Sequence, residues 1–261
     1  MTKPMNRLQP LTSNLQLLPP KARILMRAIA IALIGCAALD PSGNAAWADS
    51  SPDFGQAGRS GGDHDSGATR GDSLVSGDCA SSSESLLPLV PSSVGGGYTT
   101  QARPTFWVYS PYSLSENSPV FFALMNEENL PIHEARLPIL EAGIYSIELP
   151  PSVELQLGNT YEWYVQVYCG DPDQMEPPLF VSAWSTRVAT PLAPEPPTQM
   201  SPVEESSYYA EQLIWYDSLS ILGHALRQES GDRDTVEAAW DSLLELPSVQ
   251  LEDLTDAPLI D

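Results

Sequence analysis

Lysine is nearly absent from this sequence, and histidine and cysteine are scarce. Only Lys3 and Lys21 occur, beside three histidines (His64, His133, His224) and three cysteines (Cys36, Cys79, Cys169). From residue 49 onward there are seven Arg, no Lys and 33 acidic residues, and the whole chain carries a formal charge of -22. A surface this acidic repels polyphosphate and anionic lipid, which excludes DNA, RNA and polybasic membrane docking. It leaves room for cationic partners, Ca²⁺ among them. Local signatures of chemistry are missing as well. The one G-x-S-x-G string, Gly58 to Gly62, has no strand–turn–helix context around it, and there is no H-E-x-x-H and no C-x-x-C, so neither an esterase serine nor a zinc site is legible, and no cofactor is expected. A hydrolase would have to gather residues from distant parts of the chain.

Long apolar runs are lacking too. The longest, from Ala28 to Leu39, follows a basic segment ending at Arg27. It is too short to span a bilayer, which takes about 20 residues, and reads as the apolar core of a secretion signal over 1–48. Ala46-Trp47-Ala48 is a small-x-small site that favours cleavage after Ala48. Leu33-Ile34-Gly35-Cys36 offers the rival route, a lipid on Cys36. Both predict an exported protein, periplasmic or extracellular, with no integral membrane segment after processing. Either route leaves Cys79 and Cys169, which an oxidising compartment would join or leave as free thiols.

What is present falls into blocks. Residues 49–97, rich in Ser, Gly and Asp, are expected to be disordered, because they bring too little apolar surface to offset ordering entropy. Leu86, Leu87, Leu89 and Val90 are a short apolar patch that could add an edge strand. Residues 98–190 alternate apolar and polar side chains in short runs bounded by Pro, Gly and Asn. Strands are expected near 105–109, 120–125, 132–137, 144–149, 161–169 and 180–188, and so many strands without intervening helices predict an antiparallel β-sandwich. The run Leu155-Gln156-Leu157-Gly158-Asn159-Thr160-Tyr161 resembles the tyrosine corner of fibronectin type III modules, with Trp107, Trp163 and Trp184 as core tryptophans. The fold class expected is therefore an immunoglobulin/fibronectin-III-like sandwich.

A Pro-rich linker (191–202) leads to helical signals over 203–247. Ser201-Pro202-Val203-Glu204 is a capping box with Pro at the first helical position. Leu213, Tyr216, Leu219, Leu222 and Leu226 form one stripe. Asp234 and Glu237 repeat the capping pattern before a second stripe of Val236, Ala239, Trp240, Leu243 and Leu244. A tetratricopeptide-like helical hairpin follows, with Trp215, Tyr216 and Trp240 as candidate docking knobs. The tail 248–261 is acidic and expected to be loose.

The binding candidates are few. Glu127/Glu128 and Asp232/Asp234 read as solvated pairs. Asp171, Asp173 and Glu176 form an acidic loop that offers oxygens to Ca²⁺ without EF-hand spacing. Alternation points Tyr164 and Tyr168 outward, where they could meet sugar or peptide.

The segments ARPTFWVYSPY (102–112), LGNTYEWYVQVYC (157–169), FVSAWSTRV (180–188), YAEQLIWYDSLSIL (209–222) and AAWDSLLE (238–245) resemble a family of secreted cyanobacterial proteins known as domain of unknown function 928. The resemblance implies a signal peptide, a sandwich and a helical hairpin. It also implies a bridge between Cys79 and Cys169, where the family carries its two cysteines. Relatives have Gly before Ile-Trp-Tyr-Asp where this chain has Leu213, which implies a first helix that runs unbroken. The resulting expectation is a non-enzymatic adaptor that docks an envelope protein through its helices. A carbohydrate- or Ca²⁺-dependent ligand-binding domain of the cell surface is the alternative.

Overall fold

A computed structural model of the chain describes residues 51–57, 77–82, 84–170, 177–189, 200–228 and 232–260. The segment 1–48 expected to be a signal, with Cys36 and Ala48, together with His64, the Asp171–Glu176 loop and most of the Pro-rich linker, lies outside the described residues.

Six alternating runs become strands close to their expected bounds: β3 (Thr105–Ser110), β4 (Val120–Met125), β5 (Pro131–Leu137), β6 (Gly143–Glu148), β7 (Thr160–Val167) and β8 (Leu179–Arg187). Three short strands join them: β1 (Leu87–Pro88), β2 (Gly96–Thr99) and β9 (Leu259–Ile260). One sheet has the order β1-β3-β6-β9, the other β2-β8-β7-β4-β5. Pairing is antiparallel except at β2–β8 and β6–β9. The sheets meet through Phe106 of β3, whose ring lies 5.6 Å from that of Phe122 and 5.3 Å from that of Trp163. The fold is mixed α/β, with two sheets and, among the described residues, three α-helices.

The helices are α1 (Pro202–Glu211), α2 (Trp215–Arg227) and α3 (Arg233–Leu244). This corrects the two-helix expectation. The Ser201 capping box forms as its sequence predicts. The chain then breaks at Leu213, which takes φ +62°. That left-handed conformation costs a non-glycine residue about 1 kcal/mol, and the flanking contacts enforce it. The next cap also shifts: α3 begins after Asp232, not at Asp234, and the Asp232 carboxylate accepts from Thr235 Oγ1.

Two more segments differ from expectation. Within 49–97, Phe54, Leu86 and Leu89 are fully buried and β2 begins inside the Gly95–Gly97 run. The tail is not loose either. Leu251 and Leu254 are buried, and Pro258 O accepts from Ile144 N–H as β9 closes on β6. In both cases a few apolar residues find cover far away in sequence, which local composition does not reveal.

The core continues from the sandwich into the helices. Successive residues of β3 face opposite ways. Phe106 enters the space between the sheets, while Trp107 faces outward into α2 and α3. Its ring lies 5.9 Å from that of Trp240, and its Nε1 donates to Ser220 Oγ (3.0 Å). Gly223 of α2 lies directly against it: a β-carbon there would come within 2.4 Å of the indole. The glycine is required by this close approach of helix to tryptophan.

Candidate functional site

Trp215, Tyr216 and Trp240 are at most 3% exposed. They are not docking knobs, because the stripe they form is covered by the chain's own sandwich. Trp215 packs edge-on to Phe54 with ring centres 5.0 Å apart, and its Nε1 donates to Leu89 O (2.9 Å). The Tyr216 hydroxyl accepts from Trp163 Nε1 (2.9 Å) and donates to Trp184 O (2.7 Å). Burial drives the Tyr216 phenol pKa far upward, so it stays a neutral donor.

Asp217 completes this clasp. Its carboxylate is 5% exposed and meets four donors. Thr99 Oγ1 (2.7 Å) and Thr100 N–H (3.1 Å) reach one oxygen; Thr100 Oγ1 (2.5 Å) and Gln101 Nε2 (3.2 Å) reach the other. Burying a carboxylate is costly unless such donors replace water. Trp215, Tyr216 and Asp217 thus join α2 to the segment just after β1 and to β2, β7 and β8. Sequence reading missed Asp217 because one acid in an amphipathic stripe carries no sign of its partners.

The other tryptophans are buried. Trp163 lies between the sheets and Trp107 under the helices. Trp184 lies on the outer side of its sheet, covered by Tyr98 (ring centres 5.7 Å apart), and donates to Val94 O. The Tyr161 hydroxyl accepts from Gln156 N–H (2.9 Å), tying the 150–159 loop to β7. Cys79 and Cys169 are joined in a disulfide. Beside it, Asp78 N–H donates to Cys169 O (3.1 Å), and the Asp78 carboxylate accepts from Ser115 N–H and Ser118 Oγ. Those donors hold its pKa below the usual carboxylate range.

The described histidines do not meet. His133 packs on Phe122. His224 lies beside Trp107, with Nε2 3.9 Å from Glu148 Oε1. Burial lowers its pKa, opposed by Glu148 and reinforced by Arg227. The nearest serine on its helix, Ser220, has its hydroxyl held by Trp107 and Thr105 O.

A cleft of about 380 Å³ opens at one end of the sandwich, between the β4–β5 turn and the loop entering β7. Glu127, Glu128 and Glu154 line it with Asn126, Gln156 and Asn159, over an apolar floor that includes Ile132 and Val153. The turn is built locally: Asn126 Oδ1 accepts from Glu128 N–H and Leu130 N–H, and Asn129 takes φ +56°. Glu127 Oε1 accepts from Thr160 N–H (3.1 Å), and Glu154 pairs with Arg103 (2.6 Å). Among the described residues, no group of His, Cys, Asp or Glu has the geometry to hold a metal ion. Of the lining residues, the sequence drew attention to Glu127 and Glu128 as a solvated pair and to Gln156, Asn159, Thr160 and Tyr161 as part of the tyrosine-corner run; Glu154 carried no signal.

On the five-stranded sheet, Phe121 and Ile132 remain 37% exposed. Tyr168 meets Phe121 edge-on, and Tyr164 is half-buried with its pKa pushed up to about 12 by burial and then by Glu162. The outward placement expected for both tyrosines agrees with the alternation of β7.

Neither curated proteins nor solved structures gave a match to the chain. The model of the family described as Domain of Unknown Function (DUF928) matches residues 65–259, and the chain belongs to that family.

Proposed function

We propose that this DUF928 protein is an exported, non-enzymatic envelope module that engages a partner protein through the acidic loop end of its sandwich. The observation that carries the reading is the cleft lined by Glu127, Glu128 and Glu154. It is open and negatively charged, whereas the helical aromatics are consumed by folding. A basic segment of a partner fits that chemistry. Export rests on the signal-like segment 1–48, with a lipid on Cys36 as the rival end, and on the Cys79–Cys169 bridge, a pairing favoured in oxidising compartments.

The finer fold is read as fibronectin-III-like. Its support is the strand order: β1-β3-β6 beside β8-β7-β4-β5 corresponds to A-B-E and G-F-C-C′, with Tyr161 at the corner that enters the F strand. Three helices in place of two speak against a single tetratricopeptide-like pair.

The test is capture from an envelope extract by the wild-type protein, a Glu127→Lys/Glu128→Lys variant, and Glu211→Lys, a charge reversal on α1. A discrete partner lost only by the cleft variant supports the reading. A partner retained by that variant places docking elsewhere.

The second reading is a carbohydrate- or Ca²⁺-dependent binding domain. It is favoured by Phe121, Tyr164 and Tyr168 on the outer face of the five-stranded sheet. A melting temperature raised by envelope glycans or Ca²⁺, with the response lost in Tyr164→Ala, would select it.

A further inference from the structure

The five-stranded sheet ends at β5, a seven-residue strand with one side paired to β4 and the other unpaired among the described residues. The remaining sheet edges are shorter: β1 and β9 have two residues each, and β2 has four. Long edges usually carry lysine, proline or a covering element that prevents pairing with another chain. In β5 the prolines stand only at the ends, Pro131 first and Pro138 just beyond; between them Ile132, Glu134 and Arg136 are exposed, and Leu130 just before the strand is 59% exposed.

Hydrogen-bond phase fixes which groups the edge offers. Tyr168 N–H donates to Pro119 O (3.0 Å), in register with the β4–β7 ladder. The bonded pairs of β4 with β7 are therefore those at Phe121, Ala123 and Met125, and those with β5 at Val120, Phe122 and Leu124. Their β5 partners are Leu137, Ala135 and His133. The N–H and C=O groups of Glu134 and Arg136 consequently point away from the sheet, while a register shift between Leu124 and Met125 interrupts the ladder at Ile132.

We propose that β5 is a self-association edge. Two copies pair antiparallel about a twofold axis at Ala135, so that Glu134 of each copy stands opposite Arg136 of the other. An isologous contact of this kind counts every favourable pair twice. Each Glu134–Arg136 pair exchanges both backbone bonds and places unlike charges directly across from one another. The neighbouring registers are worse. An axis at Glu134 sets that carboxylate against itself. An axis at Arg136 opposes two guanidinium groups and sets Pro138, which has no N–H, against Glu134, whereas the axis at Ala135 sets Pro138 against Ile132 at the end of the strand.

Arg136 already donates to Glu116 O (3.0 Å), and its fork has donors to spare. The acidic excess of the chain opposes association. Its long-range part is screened beyond about 8 Å at physiological salt, while the cross-strand pairs are in contact. One strand edge buries less than a standard interface of about 1,600 Å², so the dimer belongs in the micromolar range.

Sedimentation equilibrium tests this on protein matured by its own cells from the full-length gene. At 0.15 M salt the wild type should pass from monomer to dimer between about 1 and 200 µM. Arg136→Glu alone and Glu134→Arg alone should each weaken the dimer at least about tenfold. Mixing these two variants should restore a heterodimer, because both opposed pairs become unlike. The double variant Glu134→Arg/Arg136→Glu should form a homodimer again, which separates charge matching from damage to folding. A wild type that stays monomeric throughout, a dimer indifferent to both single variants, or a failure of the mixture to pair would overturn the proposal.

Discussion

The outer face of the four-stranded sheet lies under α2 and α3, whereas the outer face of the five-stranded sheet keeps Phe121 and Ile132 more than a third exposed. The two faces carry comparable aromatic content but use it differently. On the covered face, Trp107 packs against Trp240 and lies under Arg227, whose guanidinium is 5.0 Å from the ring centre. Beside it, Trp215, Tyr216 and Asp217 bind the helices to the sandwich edge. On the open face, Phe121 and Tyr168 make a similar T-shaped contact, ring centres 5.8 Å apart, but Phe121 stays 37% exposed. The most distinctive motif of the chain therefore serves cohesion.

The comparison breaks first at the clasp. Asp217→Ala leaves four donors without their acceptor and should cost about 3 kcal/mol in urea unfolding. Gly223→Ala drives a methyl into the Trp107 ring and should cost about 2–3 kcal/mol, against the usual gain for Gly→Ala in a helix. On the open face, Phe121→Ser should cost less than about 1 kcal/mol, since much of the ring is already in water. A loss there equal to that of Gly223→Ala would mean that this face is covered too.

Much of this architecture is legible in the sequence, and the exceptions share a cause. The strand β7 buries alternate residues without a fault, so period two announces it. The strand β3 is buried throughout, one side by the other sheet and one by the helices, and its run TFWVYS conceals the second partner. The strand β2 begins with two glycines and reads as a linker. Those glycines answer neighbours far away: side chains at Gly96 and Gly97 would strike Trp184 and Trp215. Similarly, the stripe through Tyr216 and Leu219 announces a buried helix face but not what buries it. The cleft is the least legible feature, because its acids come from loops that only the fold brings together.

Two smaller effects sharpen the account. Burial lowers the His224 pKa, so the folded state prefers the neutral ring. Its stabilising contribution is complete above the unfolded value near 6.5 and is lost as pH falls from there through the folded pKa. Between pH 7.5 and 5.5 the melting temperature of wild type should therefore fall more than that of His224→Gln. Leu213→Gly should change stability by less than about 1 kcal/mol, as relief of the left-handed backbone offsets the half-buried side chain that is lost.

The central claim is that helices and sandwich form one cooperative unit held by Ile214-Trp215-Tyr216-Asp217. Native-state hydrogen exchange tests it most directly. The slowest amides of α2 and of β7 should open with the same free energy and the same denaturant dependence, and Asp217→Ala should lower both equally. If α2 opens at distinctly lower free energy while β7 keeps its protection, the helices are a separable appendage and the account is wrong.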